Sequence, residues 1–218
     1  MAEQLRLDRY RRDPVNDDTP GEGDPGAPRR RFLRGGVLAG AGLLVGIAAA
    51  VGVGEPAGAA PSPRQDRRIL QFLLRLEYLQ ADFYAAALDG GALDGELRDF
   101  AETVGEHERE HVALLEERLG TSTGGKPTFD FGDATGSADA FAQTARRVEE
   151  LGVAAYIGQG ANLTPRAVAT VSRITSVEAR HAAWIADFLG RHPAPRAADR
   201  AQTADEVQAA IRRTGFVT

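Results

Sequence analysis

The sequence contains no cysteine among its 218 residues. This absence excludes disulfide bonds, thiolate nucleophiles, and zinc or iron–sulfur sites with cysteine ligands. The chain also lacks an excess of positive charge, since 26 basic residues stand against 31 acidic ones and the net charge is −5. Proteins that bind nucleic acid usually carry a basic surface, so the composition argues against that class.

The first 59 residues have few large apolar side chains outside one continuous run. Residues 1–28 are rich in Arg, Asp, Gly and Pro, so we expect them to be disordered. The letters RRRFLR at residues 29–34 resemble a twin-arginine export signal, although Pro28 stands where Ser or Thr is usual. The apolar run 37–53 has about the length of a signal h-region, and an A-x-A site ends at Ala59. We therefore predict export by the twin-arginine machinery to the periplasm, cell envelope or extracellular space, with cleavage after Ala59.

The same apolar run leaves a second interpretation open. Its 17 residues lie near the lower limit of the roughly 17–25 residues that span a membrane, so an uncleaved N-terminal anchor is the alternative. In both cases the membrane is reached only through this segment. We expect residues 1–59 to be the disordered segment and signal, 60–190 the folded domain, and 191–218 a linker and short C-terminal helix.

One pattern of ionisable residues occurs twice in the folded part. The first copy consists of Glu77, Tyr84, Glu108 and His111, and the second consists of Glu149, Tyr156, Glu178 and His181. The offset between copies is 72 residues for the Glu and Tyr pair and 70 residues for the Glu-x-x-His pair. A repeat of this kind is not expected by chance, and it indicates two halves with matching roles.

Each of these residues interrupts an apolar stripe at helical spacing. Around Glu77, for example, Leu70, Leu73 and Ala81 recur in steps of three and four residues. No Lys or Arg lies on any of the four stripes. The pattern predicts four helices that point four carboxylates and two imidazoles into one interior.

Buried carboxylates must be protonated, paired or bound to cations, because an unpaired buried charge costs several kcal/mol. Two divalent cations would bring four carboxylates near neutrality. One Glu from each of two helices and Glu-x-x-His from each of two others is the ligand set of di-metal carboxylate bundles. The predicted ligands are Glu77, Glu108, His111, Glu149, Glu178 and His181. Their oxygen and nitrogen donors suit iron or manganese, and they are also compatible with zinc.

Four segments carry a resemblance to a known family. They read LEYLQADFYAAAL, GEHEREHVALLEERLG, VEELGVAAYIGQGANLTPRA and VEARHAAWIADFLG. Together they resemble the bacterial ferritin-like domain family, which also contains desiccation-related proteins, over roughly residues 64–190. The resemblance implies an all-α, ferritin-like four-helix bundle and the metal ligands above. Gln80 is a departure, because relatives often carry another Glu there.

Capping signals give the predicted order of helices. Helix one begins at Ser62-Pro63 and ends at Gly90-Gly91, and helix two runs from Asp94 to Gly120. Helix three begins at Ser137 and stops near Gly158 or Gly160, and helix four runs from Thr164-Pro165 to Gly190.

The connection 121–136 can span about 50 Å, which is enough to return along the bundle. Helices two and three can therefore be parallel, joined by one long crossover. Thr203 and Glu206 form a capping box for a short helix to about Arg213. That helix either packs on the bundle end or serves as an interaction tail.

Two alternatives concern individual ligands. Glu150 competes with Glu149, but the stripe through Glu150 contains Gln143, Arg146 and Arg147 and looks solvated, so we choose Glu149. His107, Glu108 and His111 spell H-E-x-x-H, the zinc protease signature. That interpretation leaves Glu77, Glu149 and the second Glu-x-x-His unexplained, and the repeat counterpart of His107 is Val177. We keep the protease as a remote alternative.

Two functions fit the predicted centre. The first is redox chemistry with dioxygen or peroxide, as an oxidase, peroxidase or catalase-like enzyme in stress defence. The second is a non-enzymatic protein that sequesters metal or protects the envelope under oxidative or drying stress. A bundle that keeps the pattern without metal is a third reading, disfavoured by the cost of four buried acids. Tyr84 and Tyr156 are predicted to hydrogen-bond the ligand carboxylates, with a redox role as the alternative. The sequence leaves a homo-oligomer open.

Overall fold

The computed structural model describes residues 60–218, and this part of the chain is helical. Its five α-helices are α1 (Pro63–Asp89), α2 (Gly95–Leu119), α3 (Ala138–Gly160), α4 (Pro165–Phe188) and α5 (Ala204–Thr214). Two short 3-10 turns, Gly120–Ser122 and Gly132–Thr135, lie in the connection between α2 and α3. The predicted all-α class is confirmed for these residues. The predicted export signal and its cut after Ala59 lie outside them.

Local capping explains where several helices begin. The hydroxyl of Ser62 accepts a hydrogen bond from the N–H of Gln65, and Pro63 opens α1. Ser137 accepts from the N–H of Ala140 in the same way. Thr203 and Glu206 form both hydrogen bonds of the predicted capping box at α5. These helix starts therefore follow from residues next to them in sequence.

Two other helix starts differ from the capping prediction. Asp94 and Thr164 occupy the N-cap positions of α2 and α4, but neither side chain caps its own helix. Instead, the hydroxyl and N–H of Thr164 donate to the carboxylate of Asp66 in α1, over 2.6 and 2.8 Å. This pair ties the start of α4 to the start of α1.

Side-chain contacts fix the direction of each helix. Tyr84 meets Phe100 and Tyr78 meets Glu116, so α1 and α2 are antiparallel. Tyr84 meets Glu149 and Tyr156 meets Glu77, so α1 and α3 are antiparallel as well. It follows that α2 and α3 are parallel and that the connection between them returns along the bundle, as expected for a ferritin-like topology.

The apolar core consists of two clusters with polar residues between them. The first cluster is built around Phe83, Phe100 and Phe141, and the second around Leu73, Leu115 and Ile174. Along each of the four long helices, the predicted ligand positions fall between residues of the first cluster and residues of the second. The two clusters therefore enclose the polar residues from both directions along the bundle axis.

The C-terminal helix packs on the bundle, which was the first of the two predicted alternatives. Val207 of α5 is fully buried in the second cluster. The N–H of Gln202 donates to the carbonyl of Ala154, and a side chain at Gly158 would overlap the Gln202 backbone. Beyond α5, the backbone of residues 216–218 bonds to residues 128–130 of the crossover. No helix within residues 60–218 has the length and apolar character of a membrane span.

Candidate metal centre

The six side chains predicted as ligands meet inside the bundle. The four glutamates have no exposed surface, and His111 and His181 are 7% and 3% exposed. They form two overlapping groups, in each of which the possible ligand atoms lie within 4.8 Å of one another. The first group is Glu77, Glu108, His111 and Glu178, and the second is Glu108, Glu149, Glu178 and His181. Glu108 and Glu178 belong to both groups, so each of them could contribute to both cation positions.

Both imidazole rings turn Nδ1 toward the carboxylates. Nδ1 of His111 lies 3.3 Å from Oε2 of Glu77 and 3.2 Å from Oε1 of Glu178. Nδ1 of His181 lies 3.3 Å from Oε2 of Glu149, and it lies 3.0 Å from Oε1 of Glu108. His111 and Glu77 therefore lie together in one half of the cluster, and His181 and Glu149 lie together in the other half.

Burial raises the pKa of Glu77, Glu108 and Glu178. It raises the pKa of Glu77 to about 8, and repulsion by Glu108 acts in the same direction. The pKa of Glu178 is also raised by burial and by the charge of Glu77. Without cations, the cluster therefore holds protons on carboxyl groups that would be ionised in water at neutral pH.

The neighbouring carboxylates raise the pKa of both histidines. Burial by itself would lower the pKa of His111, but the hydrogen bond to Glu108 and the close carboxylates of Glu178 and Glu77 raise it to about 12. For His181, burial again opposes the charged form, and the close carboxylates of Glu108 and Glu149 raise the pKa to about 10. The cation-free cluster therefore keeps both rings protonated.

The donor set fits two divalent cations. The buried atoms without a hydrogen-bond partner include Glu77 Oε2, Glu108 Oε1, Glu149 Oε2, Glu178 Oε1 and His181 Nδ1. Unpartnered buried polar atoms are costly, and here they converge on a common interior. Carboxylate oxygen and imidazole nitrogen are ligands for divalent iron, manganese and zinc. Bound cations would satisfy these atoms and offset the negative charge.

Two tyrosines hold the single glutamates from the opposite helix. The hydroxyl of Tyr84 in α1 donates to Oε1 of Glu149 in α3, over 2.6 Å. The hydroxyl of Tyr156 in α3 donates to Oε1 of Glu77 in α1. Burial, followed by the nearby carboxylates, raises the pKa of both phenols well above the usual value, so both remain donors. In each glutamate the other oxygen, Oε2, stays without a partner.

Two residues of the site were missed or only partly understood from the sequence. Nε2 of Gln80 lies 3.3 Å from Oε1 of Glu149 and 3.3 Å from Oε2 of Glu178, so the amide supports both carboxylates. Gly152 lies against Glu178, and a Cβ atom there would overlap Oε2 of that glutamate. The repeat offers a signal, because Gly152 is 72 residues after Gln80, the offset of the Glu and Tyr pair.

The competing ligands from the sequence lie outside the cluster. Glu150 is exposed and forms an ion pair with Arg146 at 2.6 Å, which supports the choice of Glu149. His107 belongs to neither ligand group. Its ring stacks on the far side of His181 instead, with Nδ1 2.9 Å from Nε2 of His181. This placement does not fit the zinc protease arrangement, in which His107 and His111 bind the same ion.

A surface cavity leads to the histidine side of the cluster. It has a volume of about 380 Å³ and opens between α2 and α4. Its lining includes His107, His111, His181 and Trp184. Small molecules can therefore approach His111 and His181 from this face.

A four-helix bundle that joins two Glu-x-x-His pairs to two further glutamates defines the class of di-metal carboxylate proteins. The family model described as the ferritin-like domain matches residues 65–191. The chain therefore belongs to the ferritin-like domain family. A comparison with curated proteins finds no match to the chain.

Proposed function

We propose that this protein binds two divalent cations, iron or manganese, and uses them in redox chemistry with dioxygen or peroxide. The observation that carries the proposal is the convergence of unpartnered carboxylate oxygens and the His181 Nδ1 atom in one buried space. The absence of Lys and Arg from the ligand stripes supports it, because the two imidazole rings are the only side chains on those stripes that could balance the four acids.

The cations would be held by the two overlapping groups of side chains. Glu77 and His111 would serve one position, Glu149 and His181 the other, and Glu108 and Glu178 both. Bound iron or manganese would supply the electron transfer that dioxygen or peroxide requires and that no side chain of this set provides.

The chain's own residues would prepare the site in three ways. Tyr84 and Tyr156 hold the single glutamates through Oε1, which leaves Oε2 directed into the cluster. The two apolar clusters close the site at both ends along the bundle axis, which limits the access of water from those directions. The cavity between α2 and α4 has room for dioxygen or peroxide beside His111 and His181.

The place of this chemistry is part of the proposal. The twin-arginine-like residues 29–34 and the apolar run 37–53 support export. Twin-arginine export carries folded proteins, so the cations could be loaded in the cytoplasm before transport. A role in oxidative or drying stress in the cell envelope would suit such a location.

The experiment begins with elemental analysis of the purified chain. Two equivalents of iron or manganese are expected per chain. Peroxide is then added, and oxygen release and the optical spectrum are followed, with a Glu108→Gln, Glu178→Gln double variant as control. A cation-loaded protein that leaves peroxide unchanged and keeps its spectrum would reject the redox function and favour metal sequestration. A folded chain that binds no cation would reject the metal centre itself.

A further inference from the structure

The two halves of the cluster differ in one hydrogen bond on the outer side of the histidines. Nε2 of His181 lies 2.9 Å from Nδ1 of His107, and the two rings are stacked with centroids 5.1 Å apart. The repeat counterpart of His107 is Val177, because both lie one residue before a Glu-x-x-His motif. Valine has no hydrogen-bonding side chain, so it cannot support His111 in the same way.

This contact determines which nitrogen of His181 is available to a cation. Nδ1 of His181 faces Glu108 and Glu149 and has no hydrogen-bond partner. A neutral imidazole has one N–H and one lone pair, so a lone pair on Nδ1 requires the proton on Nε2. Nδ1 of His107 can accept that proton in a hydrogen bond. Histidine ligands of metals are commonly held by an acceptor of this kind, which fixes the tautomer and the ring orientation.

We propose that His107 is a positioning residue for His181, and that it strengthens cation binding in the Glu149–His181 half of the cluster and not in the Glu77–His111 half. The inference rests on the proposed function, since it assumes that the cluster binds cations. It also gives the H-E-x-x-H letters of the sequence a meaning other than a protease. His107 acts on a ligand from outside, at the wall of the cavity between α2 and α4.

The test compares two substitutions of nearly equal shape. His107→Asn keeps an acceptor, because Oδ1 of Asn branches from the same carbon as Nδ1 of His, whereas His107→Leu removes it. Cobalt(II) is titrated into the full cation-free chain, and its ligand-field absorption reports each bound equivalent. In His107→Leu, one of the two equivalents should bind about 10–100-fold more weakly, while the other is unchanged. His107→Asn should restore most of that loss.

Two controls separate positioning from a general loss of structure. Thermal unfolding of the cation-free variants checks that both fold, and the exposed His192 supplies the matched substitution His192→Leu, which should leave both equivalents unchanged. The inference is overturned if His107→Leu binds both equivalents like the wild type, if both weaken alike, or if His107→Asn is as weak as His107→Leu. Failure of the proposed function looks different, because the wild type itself would then bind no cobalt.

Discussion

The hydroxyl of Tyr84 in the first helical hairpin, formed by α1 and α2, donates a hydrogen bond over 2.6 Å to the carboxylate of Glu149 in the second hairpin, formed by α3 and α4. The repeat makes this relationship mutual, because Tyr156 of the second hairpin donates to Glu77 of the first. Each half of the sequence therefore holds the single glutamate of the other half. The candidate metal centre is a joint product of the two hairpins.

Removing one of these hydroxyls should weaken the corresponding half of the site. In Tyr84→Phe, Oε1 of Glu149 loses its closer donor and keeps only the longer hydrogen bond from Nε2 of Gln80, while the ring packing remains. A hydrogen bond to a charged group contributes about 1.5–3 kcal/mol, so the free energy of unfolding should fall by about that amount. Chemical denaturation of the cation-free chain measures it. Tyr78→Phe is the matched control, because that hydroxyl bonds to Glu116 outside the cluster. Equal losses in the two variants would contradict a special role for Tyr84.

Gly152 should tolerate no side chain. In Gly152→Ala, the new methyl group would overlap Oε2 of Glu178, so the carboxylate must move. We expect a loss of about 1–3 kcal/mol from overpacking and weaker cation binding, measured by denaturation and by metal titration. Gly160→Ala in the same helix is the control, since a Cβ there meets nothing within 4 Å. It should be neutral or stabilise the helix by up to about 1 kcal/mol. Unchanged cation binding in Gly152→Ala would contradict the placement of Glu178.

The substitution Gln80→Glu should replace a hydrogen-bond donor with a fifth carboxyl group beside the four buried glutamates. The Gln80 amide lies within hydrogen-bonding distance of Glu149 and Glu178, and an ionised glutamate cannot donate to either. The cation-free Gln80→Glu chain should be about 1–3 kcal/mol less stable than the wild type, and manganese should recover much of the loss. Melting temperatures with and without manganese measure both effects. Gln71→Glu is the control, because it removes a hydrogen bond from the side-chain amide to the Ser122 carbonyl. Manganese should not restore the stability of that variant.

Cation uptake should release protons, and cation affinity should rise with pH. The pKa of His111 is raised to about 12 and that of His181 to about 10, so both rings are protonated at neutral pH without cations. Nδ1 must lose its proton before it binds a cation. Calorimetric titration with manganese in two buffers of different ionisation enthalpy should show the release of more than one proton per chain. Equal affinities at about pH 6 and about pH 8 would contradict the expectation.

The sequence predicted which glutamates and histidines face inward because helical periodicity decides which face of a helix is buried. Glu77 and Glu149 each lie in the middle of an apolar stripe. That stripe is the face that the helix turns to the core, so both side chains are buried. Glu150, one position further along, is exposed for the same reason. The length of the connection 121–136 allowed the parallel arrangement of α2 and α3 that the structure shows. These features depend on local pattern and chain length, both of which the sequence contains.

Other features depend on how separate helices approach each other. Gly152 resembles any small helical residue until Glu178 is placed against it. His107 lies outside both groups of candidate ligands, and its contact with His181 depends on the rotation of α2 relative to α4. Thr164 is a favourable N-cap residue, yet its hydroxyl donates a hydrogen bond to Asp66, which is distant in sequence. Sequence patterns describe one helix at a time, so they do not contain these pairings.

Anomalous diffraction from crystals grown with manganese would show whether the buried carboxylates and histidines bind two cations. Two anomalous peaks are expected inside the bundle, both in contact with Glu108 and Glu178, one beside His111 and the other beside His181. An ordered bundle with no peak among these side chains would rule out the proposed metal centre, as would a single peak held between His107 and His111.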